Sequence, residues 1–284
     1  MPSIAIITDS DASLPPSLAE RYNIQQVPIY IHFGTETFKT NVEIDDARLF
    51  ERVDQEKKLP TTSAPSPGEF KEAFRQALEK GAEAVICFCV SSEVSAVYNT
   101  AVMAREMLPD ENITVVDSKA LSMAQGFIVL EAARAAEEGV SVKEVLSRAM
   151  DIRERAHVFG ALSTLRYLAL SGRVGHIAAG MANLLEVKPI LSLREGKLDL
   201  LEKVRTRKKA WSRTIQLIED ACEGRSIEQL SILHVNARTD AEEFHAQLCE
   251  KLTCPDDVPY AELTPGLSVH TGAGIVGAAF VVAK

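Results

Sequence analysis

Two runs of hydroxyl side chains and one histidine are the groups in this sequence best suited to handling an anion. Thr61-Thr62-Ser63 lies within residues 60–68, a loop made rigid by three prolines. Ser91-Ser92-Glu93-Val94-Ser95 follows directly on the apolar run AVICFCV at 84–90. His270 stands in Ser268-Val269-His270-Thr271, just ahead of Gly272-Ala273-Gly274. Hydroxyls at a strand-to-helix turn meet the unpaired N–H groups and positive dipole end of the helix, an arrangement that holds a carboxylate or phosphate. Ser92 or Ser95 would serve equally as a helix cap. His270 is open to three roles: donor to an anion, general base, or structural histidine.

The charged groups add fewer signals. Lys203-Val204-Arg205-Thr206-Arg207-Lys208-Lys209 is a dense basic run in an acidic chain. It falls at a helix start, where positive charge opposes the dipole. That local cost favours a partner-facing or phosphate-facing role over a merely solvated face, and Arg173 is a weaker candidate of the same kind. Asp9-Ser10-Asp11 follows a first strand at the place where open α/β sheets put ligands, although aspartate there also serves turns and caps. Gly272-Ala273-Gly274-Ile275-Val276-Gly277 matches GxGxxG, but the chain ends seven residues later. No helix or acidic partner follows as the dinucleotide motif requires. The five cysteines show no CxxC or metal spacing, and Cys87 and Cys89 read as packing residues of a buried strand. No metal or cofactor is expected.

The elements that must position these groups alternate. Strands are expected at 3–8, 84–90 and 113–116, a hairpin across 27–33 and 35–38, and helices at 14–22, 45–57, 67–80, 96–108, 124–137 and 141–154. Strand alternating with helix describes an N-terminal parallel, doubly wound α/β layer over 1–155. The second half, 156–284, reads as a mixed-sheet α/β domain. Its expected strands are 157–162, 187–193, 198–204, 231–235, 260–263 and 274–283, and its expected helices 163–171, 181–186, 207–222 and 240–252.

A chain of 284 residues suits two domains, and its 46% hydrophobic and 25% charged composition is that of a globular protein. The net charge of −9 argues against a nucleic-acid partner. No stretch is apolar for long enough to span a membrane, and the start has no basic leader region. With its cysteine usage, this favours a reducing, cytoplasmic setting.

Taken together, the segments resemble the DegV family of bacterial fatty-acid-binding proteins. The likeness runs from Ile4 to Val282 in one order. It is carried by Ile7-Thr8-Asp9-Ser10, Thr62-Ser63-Ala64-Pro65-Ser66, Ser91-Ser92-Glu93-Val94-Ser95 and Val116-Asp117-Ser118-Lys119. Ser171-Gly172-Arg173-Val174, Lys188-Pro189-Ile190-Leu191, the basic run through Ala210, and His270-Thr271-Gly272-Ala273-Gly274 continue it. The resemblance implies two domains with one long-chain fatty acid buried between them. By motif, Thr62, Ser95 and His270 would hold its carboxylate, with Thr61, Ser63, Ser92, Thr271, Gly272, Arg173, Arg205 and Arg207 as further ligand or partner contacts. It also implies a non-catalytic role, presenting the acid to a fatty acid kinase whose acyl phosphate product feeds phospholipid synthesis. The central turn departs from the family's usual SSGLSGT: Glu93 and Ala96 stand for glycines and Val97 for threonine, while Ala64 replaces a glutamine. A Glu93 carboxylate turned inward would oppose anion binding; turned outward, it would alter a partner surface. The competing class is a hydrolase or phosphotransfer enzyme with His270 as general base and the hydroxyl loops as an oxyanion or phosphate site. A small-ligand sensor without chemistry is the third reading.

Overall fold

The computed structural model describes residues 3–173 and 187–284. In the first half β1 (Ile4–Asp9) leads through a 3₁₀ turn at Ser10–Ala12 to α1 (Pro16–Arg21), β2 (Gln25–Val27), β3 (Tyr30–Phe33), β4 (Glu36–Lys39) and α2 (Asp46–Glu56). Then come β5 (Thr61–Ser63), α3 (Pro67–Glu79), β6 (Ala84–Cys89), α4 (Val97–Glu106), β7 (Ile113–Asp117), α5 (Ser122–Glu137) and α6 (Val142–Arg155). β2, β1, β6 and β7 lie side by side in that order, all parallel. This is the expected doubly wound layer.

β6 shows why the layer holds. All six of its residues are buried. Val85, Cys87 and Cys89 point into the core beneath α3 and α4, while Ile86 and Phe88 point toward α5 on the other face. Cys87 and Cys89 are therefore packing residues, as their spacing implied. Ser66 and Glu69 form the expected capping box at the start of α3.

The second half holds β8 (Ala156–Ala161), α7 (Arg166–Ser171), β9 (Lys188–Arg194), β10 (Lys197–Val204), α8 (Arg207–Cys222), β11 (Ile227–His234), α9 (Arg238–Cys249), β12 (Tyr260–Glu262), α10 (Pro265–Thr271) and β13 (Val276–Val282). Its strands form one mixed sheet in the order β10-β9-β8-β13-β11-β12. α8 and α9 cover one face of it. α5 packs against the other, so that helix is buried between the two sheets and one core passes through both halves.

Three expectations need correction. The run 27–33 is not one strand. Pro28 cannot donate to a ladder, so β2 ends at Val27 in the parallel sheet and β3 begins a separate antiparallel sheet, ordered β4-β3-β5. Thr61-Thr62-Ser63 is not loop but β5, paired antiparallel with β3 so that Ile31 faces Thr62. α10 went unread because its seven residues include Pro265 and Gly266, which weaken any helical pattern. The helix expected at 181–186 lies outside the described residues. Among the described residues no helix is long and apolar enough to cross a membrane.

Candidate functional site

The mixed sheet, β5, the β6–α4 turn, the start of α5 and α10 enclose a cavity of about 340 Å³. Its walls are mostly aliphatic: Val158 and Phe159 from β8, Leu191 and Leu193 from β9, Leu198 from β10, Leu233 from β11 and Leu267 from α10. The volume falls within the range of roughly 300–1,000 Å³ found for small-molecule sites. The lining also carries polar side chains: Asp11, Thr62, Ser63, Ser95, Ser122, Arg173, Ser192, His270 and Thr271. Ser63, Ala96 and Arg173 of that lining are exposed, so the cavity reaches solvent beside them.

Thr62 and His270 are 208 residues apart in sequence, yet Thr62 Oγ1 is 3.3 Å from His270 Nε2. β5 supplies the threonine through its pairing with β3; α10 supplies the histidine from its last turn. Burial, aided by the positive charge of Arg173, lowers the pKa of His270 to about 3. The ring is thus neutral and offers one N–H donor and one acceptor. Its Nδ1 is buried and has no partner among the described residues.

Ser95 reaches the cavity from the turn between β6 and α4. It caps only weakly, its hydroxyl accepting from the Val97 N–H at 3.4 Å. The other serines of the turn are occupied. Ser91 Oγ donates to the Gly196 carbonyl at 2.8 Å, fastening the β9–β10 hairpin to the turn. Ser92 donates to Asp117 and accepts from Lys119. Burial raises the Asp117 pKa, but the bonds from Ser92 and Lys119 outweigh it and the net shift is downward. Glu93 turns outward, its carboxylate 3.5 Å from Lys119 Nζ and 3.7 Å from Lys197 Nζ. Neither Glu93 nor Ala96 has positive φ, so the turn closes here without the glycines.

The remaining candidates divide. Thr271, Ser63 and Arg173 line the cavity; Thr61, Ser92, Gly272, Arg205 and Arg207 do not. Ser63 Oγ is also 2.8 Å from His32 Nε2. Gly272 has a structural reason: at φ +80° it passes so close to Tyr167 that a Cβ would sit 2.5 Å from the ring. Arg207 pairs with Asp240 at 2.7 Å and lies 4.9 Å from the Trp211 ring centroid. Thr206 caps α8 by accepting from the Lys209 N–H. Arg205 is exposed and has no ion pair among the described residues.

Two buried acids were not singled out as site residues, although both position α10. Asp11 lines the cavity and accepts from Thr264 Oγ1, just before α10, at 3.0 Å. Gly266 lies against it, since a Cβ there would be 2.3 Å from Asp11 Oδ1. Burial, and then the charge of Asp9, pushes the Asp11 pKa well up. Asp46 accepts from Ser268 Oγ, and burial raises its pKa to about 8. The Asp9-Ser10-Asp11 run was a visible signal for the first. Asp46 sits in a charged amphipathic helix and gave none. Asp9 itself ties strand ends together, accepting from the Val90 N–H at 2.7 Å and the Asp11 N–H at 2.9 Å.

Comparison with known proteins decides the family. The model of the DegV family, described as uncharacterised proteins, matches residues 3–283. The chain belongs to the DegV family. A DegV domain-containing protein of Halalkalibacterium halodurans is 31% identical over 284 residues, all of both chains. Protein DegV of Bacillus subtilis is 31% identical over 282 residues, covering 97% of this chain and 98% of that one. Among solved DegV structures, one from Thermus thermophilus, described as binding fatty acid, superposes with a TM-score of 0.91 at 30% identity over the whole of both chains. The Bacillus subtilis DegV structure, described as a fatty acid binding protein, gives 0.87 at 30% identity, again over both entire chains. A stearic acid-binding protein from Eubacterium ventriosum gives 0.89 at 26% identity, covering 99% of this chain and 98% of that one.

Proposed function

We propose that this chain binds one long-chain fatty acid, its tail in the aliphatic cavity and its carboxylate at Thr62, Ser95 and His270 of the lining. The observation that carries this reading is a mostly aliphatic cavity whose lining brings Thr62 Oγ1 to 3.3 Å from His270 Nε2. Each buried methylene contributes about 0.8 kcal/mol, so a chain of about sixteen carbons gains on the order of 10 kcal/mol gross. The tail supplies affinity; Thr62, Ser95 and His270 orient the head. Residues 1–155 and 156–284 act as the two domains that enclose it.

The choice of donors fits presentation of the acid to a second protein. A guanidinium clamp would hold a carboxylate tightly and blunt its nucleophilicity. Thr62, Ser95 and a neutral His270 make no such clamp, and we assign Arg173, the guanidinium that also lines the cavity, to an incoming phosphoryl group; the bound acid is then suited to phosphorylation by a fatty acid kinase, with the acyl phosphate entering phospholipid synthesis. The outward cations of Arg205 and the α8 start are the side chains we assign to docking that kinase or its phosphoryl group. The chain itself is a lipid-binding component without its own chemistry. A pKa near 3 makes His270 a poor general base at neutral pH, which weighs against the hydrolase reading. Denaturing mass spectrometry of the purified protein tests the proposal: it should release one long-chain acid per chain.

A further inference from the structure

Outside the cavity lining, α9 and the segment after it bring three soft donors together. His245 and Cys249 are four residues apart on α9 and so project from the same face. The chain then doubles back, placing Cys254 with its Cα 5.5 Å from that of Cys249. Donor atoms of His245, Cys249 and Cys254 all lie within 4.8 Å of one another. A histidine and two cysteines spaced in this way match no common metal or disulfide motif. In the structure the two sulfurs form a disulfide. Cys249 is exposed and the other two residues are half-buried, so a small thiol reagent reaches the bond. Exposed disulfides of this kind are the readily reduced ones.

We propose that the reduced Cys249–Cys254 pair, together with His245, binds one thiophilic divalent cation of the zinc class, and that the disulfide is the metal-free form. A dithiol reductant gives two electrons and two protons to the Cys249–Cys254 bond, becoming a cyclic disulfide and leaving two thiols. The cation then displaces both thiol protons, forming two metal–sulfur bonds and one bond to an imidazole nitrogen. His245 Nδ1 is 2.7 Å from the Tyr260 hydroxyl. That contact leaves Nε2 for the metal and fixes the ring, as the outer partner of a ligating histidine does. Zinc–sulfur and zinc–nitrogen bonds of about 2.3 and 2.0 Å put tetrahedral donors about 3.5–3.8 Å apart. Reaching that spacing requires the two sulfurs, bonded in the disulfide, to part by about 2 Å and the imidazole donor to move in by about 1 Å. Water fills the fourth position.

The test uses the full-length protein, once oxidised and once reduced with a phosphine under anaerobic conditions, incubated with zinc chloride and desalted. Elemental analysis should find about one zinc per reduced chain and none on the oxidised chain. Cobalt(II) in place of zinc should give the sulfur-to-metal charge-transfer bands of thiolate ligation. Cys254→Ser and His245→Ala should abolish stoichiometric retention, and Tyr260→Phe should weaken it about 10- to 100-fold. The other cysteines, Cys87, Cys89 and Cys222, are buried and should not substitute. Reduced wild-type protein that emerges without zinc would overturn the proposal, as would a Cys254→Ser variant that keeps its zinc. The comparison of oxidised with reduced wild type decides the matter even if a variant fails to fold.

Discussion

Replacing Thr62 by valine removes one hydroxyl and little else. The residue sits in β5 opposite Ile31, where a β-branched side chain is at home, so the strand and its register should survive. Within the protein the lost group is the Oγ1 that lies 3.3 Å from His270 Nε2. That distance is long for a hydrogen bond, which places the stability cost near the low end of the roughly 1–3 kcal/mol for orphaning a buried polar group. The effect on ligand is larger, because a hydrogen bond to a charged carboxylate contributes about 1.5–3 kcal/mol. At about 1.4 kcal/mol per tenfold, fatty acid affinity should fall about 10- to 150-fold. Thr62→Ser, which keeps the hydroxyl, should restore most of it. Displacement of a fluorescent fatty acid from delipidated protein measures all three. A valine variant that binds within about twofold of wild type would refute the head-group assignment, since even a weak charge-assisted bond exceeds that.

Further outcomes follow from the same geometry. Ser95→Ala should leave the melting temperature nearly unchanged, because its 3.4 Å cap bond is weak, while lowering the fatty acid retained through purification, read by mass spectrometry. Asp46 has a pKa near 8 when folded, against an ordinary value of 3.8. The folded state therefore holds its proton more tightly, and this contribution to stability falls as pH rises from about 4 to about 8. His270, with its pKa lowered to about 3, works in the opposite sense, its contribution being lost as pH falls from about 6.5 to about 3. Urea denaturation across pH 4.5 to 8 should show a flatter decline in Asp46→Asn than in wild type, and identical profiles would count against a buried, protonated Asp46. Charge reversal at Arg205, which has no ion pair among the described residues, should slow phosphoryl transfer by a partner kinase with lipid content unchanged. Arg207→Glu should do the same and also break the pair with Asp240, lowering stability by no more than about 1 kcal/mol.

What was legible in the sequence followed from local physics. The uninterrupted apolar run at 84–90 announced a doubly buried strand, and Ser66 with Glu69 announced the start of α3. The alternation of strands with helices gave the parallel layer. The misread parts were those set by distant contacts. β5 is a strand because β3 lies beside it, not because Thr61-Thr62-Ser63 demands one. α10 is helical although Pro265 and Gly266 argue otherwise, held by Asp11 through Thr264 and by Asp46 through Ser268. Glu93 illustrates the same limit: its direction depends on Lys119 and Lys197, one of them on a hairpin over a hundred residues away. The pairing of Cys249 with Cys254 depended on how the chain turns after α9. Thr62, Ser95 and His270 came through the family motifs, and the structure brings all three to one cavity lining.

The central claim is that the aliphatic cavity against the mixed sheet belongs to a fatty acyl chain. Denaturing mass spectrometry of protein purified without added lipid tests it most directly, read beside a native spectrum of the same sample. The account predicts a native mass heavier than the polypeptide by one long-chain acid, and release of that acid on denaturation. A native mass equal to the polypeptide alone, with delipidated protein that takes up no long-chain acid when offered it, would contradict it.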